Sequence, residues 1–460
     1  MNTHYPIFTS RHLYFFLGTA LLIGGCSSES KEKTTFPANP VAAVQVGASH
    51  RSGNFMSGQD KRKEANDYSG MLQAGRQRKQ TNPDDMDAWC TTAYAAYMLG
   101  DLDTATVNWQ KSKELAPQRA TEFDTSLANI QLIRKRWPSL KMQAPVWADG
   151  DALLEDRAWR KKAIALLTAN KYDEIERTAK TLQSSRAVGV DGVWLLEKFG
   201  KGLWGTEEGD TSVAEAWKMR HGRIQNWHRA RPASLLARTA LMASWTDGSE
   251  IARGTAYASE VSPQQFEEMN QRVVKAAEVG STLLPDIGKS PLVARRIQKW
   301  GLLASMSSEE YLELVNEATK RFPTYISYDL AATTFLMTRW FGKPGEWERY
   351  AEDRANQVGG IKGDILYARL AGEKYSSYEK FWKENAISWP RVQRGYDALL
   401  KQQPNSLSTA TTYFWLAYGH NEVAVAQRLM LSYLGNKAVR GHWNNPGGFG
   451  ETRMEVLCAG

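Results

Sequence analysis

Cysteine is scarce, with three in 460 residues, and so are long apolar runs. So few cysteines exclude a disulfide framework for a chain of this length. The mean hydropathy of −0.49 excludes a polytopic membrane protein. The one extended apolar run, Leu13 to Ile23, falls short of the roughly 20 residues needed to cross bilayer hydrocarbon. Alternating apolar and polar stretches are rare and no Asn-Gly turn occurs, so sheet content should be near zero. Chemistry-bearing motifs are missing too: there is no Cys-x-x-Cys, no His-Glu-x-x-His and no Gly-x-Ser-x-Gly. His221, His228, His420 and His442 are too dispersed to mark a metal site, and solvated or capping roles are expected for the first two. Gly200 to Gly205 lacks both a preceding strand and the Lys-Ser or Lys-Thr that would hold a phosphate. No cofactor and no metal are therefore expected.

What is present is an ordinary globular composition, 42% apolar and 23% charged, with a formal net charge of +8. The charge is spread along the chain and selects no partner by itself. At the N-terminus, Arg11 and His12 precede the Leu13 to Ile23 run, the layout of a signal peptide. Ile23-Gly24-Gly25-Cys26 then resembles the lipobox of bacterial lipoproteins: an aliphatic residue, two small residues that let an extended chain enter a peptidase site, and the cysteine. That resemblance implies cleavage after residue 25, a diacylglycerol on the Cys26 thiol and a membrane anchor. It places the body in the bacterial cell envelope on the periplasmic face. Ser27 in place of Asp favours the outer membrane. Residues 1–25 carry Arg11 and no acid, so the mature charge is +7. Nucleic acid is not an expected partner in that compartment.

Residues 26–80 are polar, mixed in charge and poor in aliphatics, so they read as a disordered tether, with about 60–79 able to form a first helix. Cys90 sits in an apolar helical pattern, which favours a buried free thiol over a disulfide with Cys458.

The strongest internal signal spans residues 81–137. Asn82-Pro83-Asp84-Asp85 is a turn and helix-cap cluster, followed by Trp89, Tyr97, Gly100, Ala105, Trp109 and Pro117. These residues resemble one tetratricopeptide repeat, which asks for an aromatic eight residues after the Trp, Gly at the turn, Ala at the helix contact and Pro about 28 residues on. Thr92, Ala93 and Ser112 depart from the pattern conservatively. The resemblance implies an all-α fold in which helical hairpins stack into a solenoid, because one hairpin cannot cover its own apolar face.

Residues 138–460 read as an irregular helical-repeat domain, with apolar residues at spacings of three and four over segments such as Ser212 to His228, Pro263 to Leu284, Ser308 to Arg321 and Trp389 to Gln402. Gly447 to Gly450 reads as a flexible loop. From about Trp194 onward, Ser244-Trp245, Ala252-Arg253-Gly254, Arg339-Trp340-Phe341-Gly342 and Pro344-Gly345-Glu346-Trp347 resemble an uncharacterised bacterial family of helical-repeat proteins, here with an altered Ala-Trp pair. The resemblance implies fold and no activity.

Two surface candidates remain. Gly342 to Gly345 forms a turn at whose base Arg339, Trp340 and Trp347 could gather, unless Arg339 pairs with Glu346 or Glu348. The basic stretch holding Arg220, Arg223 and Trp227 is the second. The segments expected of lytic transglycosylases, Glu-Ser before an aromatic helix and Gly-Leu-Met-Gln, are absent. The expectation is thus a lipid-anchored, non-catalytic scaffold for a protein or peptide. The alternative is an envelope protein that binds or cleaves peptidoglycan glycan through some of its 17 tryptophans.

Overall fold

The computed structural model describes residues 67–205, 212–256, 258–376, 380–443 and 446–459. The signal peptide, Cys26 and most of the expected tether lie outside the described residues. In chain order the helices are α1 (Tyr68–Thr81), α2 (Met86–Leu99), α3 (Leu102–Leu115), α4 (Ala120–Arg136), α5 (Asp151–Thr168), α6 (Tyr172–Ser185), α7 (Leu195–Trp204), α8 (Val213–Ala230), α9 (Leu235–Arg253) and α10 (Pro263–Ser281). They continue with α11 (Pro291–Leu303), α12 (Ser308–Arg321), α13 (Ser327–Phe335), α14 (Glu346–Val358), α15 (Gly360–Tyr375), α16 (Phe381–Glu384), α17 (Trp389–Gln402), α18 (Leu407–Gly419), α19 (Val423–Leu429) and α20 (Pro446–Cys458). The chain is all-α. Among the described residues, no helix is long and apolar enough to cross a membrane.

The helices fall into two compact units. One comprises residues 67–151 together with the chain from 399 onward and a short piece at 380–382. Here α1 packs on α2, α2 on α3 and α3 on α4, each joined by a short turn. Asp85 and Asp101 start α2 and α3 by accepting the backbone N–H three residues on, satisfying donors that the first turn leaves unpaired. Gly100 ends α2 at φ +88°, where a β-carbon would be strained, so the shape of the turn depends on glycine here. The core of the hairpin is Ala93, Ala96, Tyr97, Ala105, Trp109 and Phe123, with the Tyr97 and Trp109 rings 5.3 Å apart. The repeat signature is therefore a packing signature. Trp89 lies at the edge instead, its indole N–H donating to the Pro83 carbonyl at 2.7 Å.

The first helix allowed at about 60–79 is α1, which buries Tyr68, Met71 and Gly75 on one face. The glycines at 447–450, expected in a flexible loop, lie in α20 instead, because burial of Phe449, Met454 and Leu457 overrides the low helix propensity of glycine. As expected, sheet is nearly absent among the described residues: β1 (Val146–Ala148) pairs in parallel with β2 (Lys437–Val439). Cys90 and Cys458 are free thiols at the edge of the same core, and Cys458 meets the Tyr97 hydroxyl.

The other unit comprises residues 152–376 and 383–398. Its hairpins are α8–α9, α9–α10, α11–α12 and α14–α15, with α13 packed on α11, α12, α14 and α15. Capping boxes at Ser212/Glu215 and Ser262/Gln265 set the starts of α8 and α10. Helix α7, which contains two of the three glycines of 200–205, was not anticipated; it buries Leu196, Phe199, Leu203 and Trp204.

Candidate functional site

In the basic stretch, α8 turns Trp217, Arg220, His221, Ile224 and Trp227 inward at spacings of three and four. Trp227 is fully buried and lies parallel to Tyr172 at 6.0 Å. Arg220 donates to the Gly202 carbonyl at 2.5 Å. Only Arg223 of the three candidates keeps part of its surface, so this segment is core rather than a binding face. His221 is buried as well, against the expectation of a solvated role. It stacks on Trp217 at 5.1 Å, meets Trp245 at 4.1 Å and faces the Ser244 hydroxyl at 2.9 Å. Burial, reinforced by the Arg272 charge, pushes its pKa down to about 4.

The Arg339 to Trp347 segment separates its aromatics. Phe341 stacks on Phe335 at 4.8 Å, which stacks on Tyr311 at 3.8 Å, so Phe341 is anchored in the core. The chain can make this turn because residue 342 is glycine: a β-carbon there would lie 1.8 Å from the Leu336 carbonyl oxygen. Trp347 is buried in α14, its indole donating to Asn385 at 3.1 Å. It does not share a surface with Trp340, so it leaves the list of binding residues. Trp340 itself is 43% exposed, with Arg339 exposed beside it. All 17 tryptophans lie among the described residues, and Trp340 is the only one that is exposed.

Arg339 has no ion pair with Glu346 or Glu348. Glu346 instead accepts the Lys343 backbone N–H at 2.7 Å, and Glu348 is buried with its pKa raised by burial. The charges that act with Arg339 come from two other helices. Lys374, in the last turn of α15, is 3% exposed and donates to the Thr334 hydroxyl at 2.5 Å. Burial pushes its pKa down to about 8; the exposed Glu373 pulls it back, and Arg339 and Arg295 push it the same way as burial. Arg295, half-buried on α11, leaves its buried Nε without a hydrogen-bond partner. Lys374 is thus a buried ammonium whose one hydrogen bond among the described residues is to a hydroxyl and which two arginines disfavour further.

Sequence reasoning found Arg339 and Trp340 but missed Lys374 and Arg295. Lys374 left a signal: it continues the buried stripe Tyr367, Leu370, Ala371 at helical spacing, where a lysine is out of place. Among the described residues, no group of three or more His, Cys, Asp or Glu side chains is placed to hold a metal ion.

No family model matches the chain, and no curated protein matches it. Among solved structures, yeast Tom70 is similar over 88% of this chain and 80% of its own, at 8% identity and a TM-score of 0.31. At that score the likeness carries no functional argument.

Proposed function

We propose that the protein is a lipid-anchored scaffold of the bacterial cell envelope that holds a protein or peptide partner on its helical surface, with Arg339 and Trp340 at the contact. The observation that carries this reading is the exposure of Trp340 in a chain whose other indoles are wholly or partly buried. An exposed indole costs solvation unless a partner covers it, and Trp and Arg dominate the energetics of protein contacts. Helical hairpins supply a rigid support for such a contact. The anchor is assigned to Cys26 on the strength of Ile23-Gly24-Gly25-Cys26 and the apolar run before it, and the polar residues that follow would hold the body off the membrane.

Site-specific photocrosslinking in cells tests the contact. A benzophenone side chain at position 340 of the full lipidated chain should trap a protein partner. The same group at Val107, exposed in the other unit, should not. Equal yields at both positions, or sedimentation of the protein with purified peptidoglycan that is lost on Trp340→Ala, would replace the scaffold reading with a glycan-binding one.

A further inference from the structure

We infer that the hairpin tip between α14 and α15 is a membrane-contacting loop: Val358 and Ile361 enter the interface of an anionic bilayer, and Lys362 meets the lipid phosphates. The tip is a second surface, distinct from the contact at Trp340, and does not depend on it.

All residues from Asn356 to Lys362 are exposed. Gly359 and Gly360 both hold positive φ, +71° and +52°, which lets the chain reverse directly from α14 into α15. A β-carbon on Gly360 would meet nothing within 4 Å, and one on Gly359 only the Asn356 carbonyl at 3.8 Å, so the tip stands clear of other segments. Val358 is 41% exposed and Ile361 50%. Among the described residues, no other two large apolar side chains are exposed within three residues of each other. Single exposed aliphatics are ordinary on a protein surface, whereas a pair at the apex of a hairpin is a patch the fold leaves uncovered.

The charges beside the patch are placed by contacts. Lys362 follows Ile361 and has no ion pair among the described residues. Arg391, on α17, donates to Asn356 at 2.9 Å and to Asp364 at 3.0 Å, which holds it against both arms of the hairpin. Arg394 donates to the other Asp364 oxygen at 2.7 Å and keeps 55% of its side chain exposed. Three cations against one acid leave the apex net positive. Glu352 and Asp353, the exposed acids of α14, lie back along the helix, roughly 8 to 9 Å from Val358 at about 1.5 Å per residue.

Shape selects the occupant. A stable protein contact needs on the order of 1,000 Å² of matched surface, which two aliphatic side chains on a convex tip do not offer. A fluid bilayer closes around such a tip, takes its aliphatic groups about 5 to 10 Å into the boundary between headgroups and acyl chains, and supplies phosphates to the cations beside them. At that depth Glu352 and Asp353 stay at the outer limit of the layer.

A dansyl amino acid in place of Ile361 tests the inference in the full chain carrying Cys26→Ser, so that the proposed lipid takes no part. Titrated with vesicles of equimolar phosphatidylglycerol and phosphatidylcholine, the probe should shift its emission to the blue, less so as salt rises. The same probe at Val213, exposed on α8, should not shift. Lys362→Glu and Val358→Ser, both at exposed positions, should each raise the lipid needed for half the shift by about tenfold or more. Vesicles of phosphatidylcholine alone should require a similar excess. An unshifted probe at 361, an equal shift at 213, or no response to either substitution would overturn the membrane assignment. A benzophenone at position 361 should trap phospholipid in cells; capture of a protein instead would make the tip a protein contact. The scaffold reading is judged separately, by the crosslink at position 340.

Discussion

Lys374→Met should make the free protein more stable. The substitution keeps an unbranched stem of similar volume in the same slot and removes the charge. The fall in the Lys374 pKa from 10.5 to about 8 corresponds to about 3 kcal/mol of disfavoured charging in the folded state. Loss of the bond to Thr334 offsets about 1 kcal/mol of that gain. The Thr334 hydroxyl is not orphaned, since it also donates to the Leu330 carbonyl at 3.0 Å. The net gain is about 2 kcal/mol, or roughly 4 to 8 °C in the midpoint of a melt. The pH dependence identifies the cause. A lysine whose folded pKa is lowered contributes stability that is present above 10.5 and lost as pH falls through about 8. The advantage of the variant should therefore be full at pH 7 and shrink as pH rises from about 8 towards 10.5. Melts of both proteins across that window are the assay. A variant less stable than the parent at pH 7, or a gap that does not change with pH, would refute the claim that Lys374 is a buried, uncompensated cation.

Three further outcomes are expected. Trp109→Ala should cost about 3 to 5 kcal/mol, because Trp109 is 4% exposed and packed on Tyr97 and Phe123, and an unchanged urea midpoint would remove it from the core. His221 is held neutral down to about pH 4, while an unfolded histidine titrates near 6.5, so the unfolded state takes up the proton first. Its stabilising contribution should be complete above about pH 6.5 and fall by up to about 3 kcal/mol as pH drops towards 4. His221→Phe should flatten that slope, and a variant with the parent's pH profile would show that another group titrates. Cys26→Ser should abolish labelling by a palmitate analogue and leave an uncut precursor; labelling that persists in the mutant would place the lipid elsewhere.

Read along the chain alone, much of the helical architecture was legible. Helix periodicity comes from local geometry, so Ser308 to Arg321 and Trp389 to Gln402 appear as helices in the sequence and in the fold. The hairpin of Trp89 to Pro117 was legible too, because its Gly, Ala and aromatic positions are demanded by contacts between segments only a few residues apart. The α20 helix was not, since its glycines have low helix propensity and only the burial of Phe449, Met454 and Leu457 keeps them helical.

The candidate site divides in the same way. The sequence by itself determined that Arg339 and Trp340 stand at a turn between helices, because Gly342, Pro344 and Gly345 forbid the helix from continuing. It left open which aromatic faces water, since Trp340, Phe341 and Trp347 are alike as residue types. The stack of Phe341 on Phe335 and Tyr311 decided that, sending Phe341 in and Trp340 out. Likewise, only the packing of α11, α13 and α15 brought Arg295 and Lys374 into the electrostatic reach of Arg339. Side-chain identity sets which charges a chain carries, but their mutual distance, and the water excluded between them, exist only once segments remote in sequence have packed.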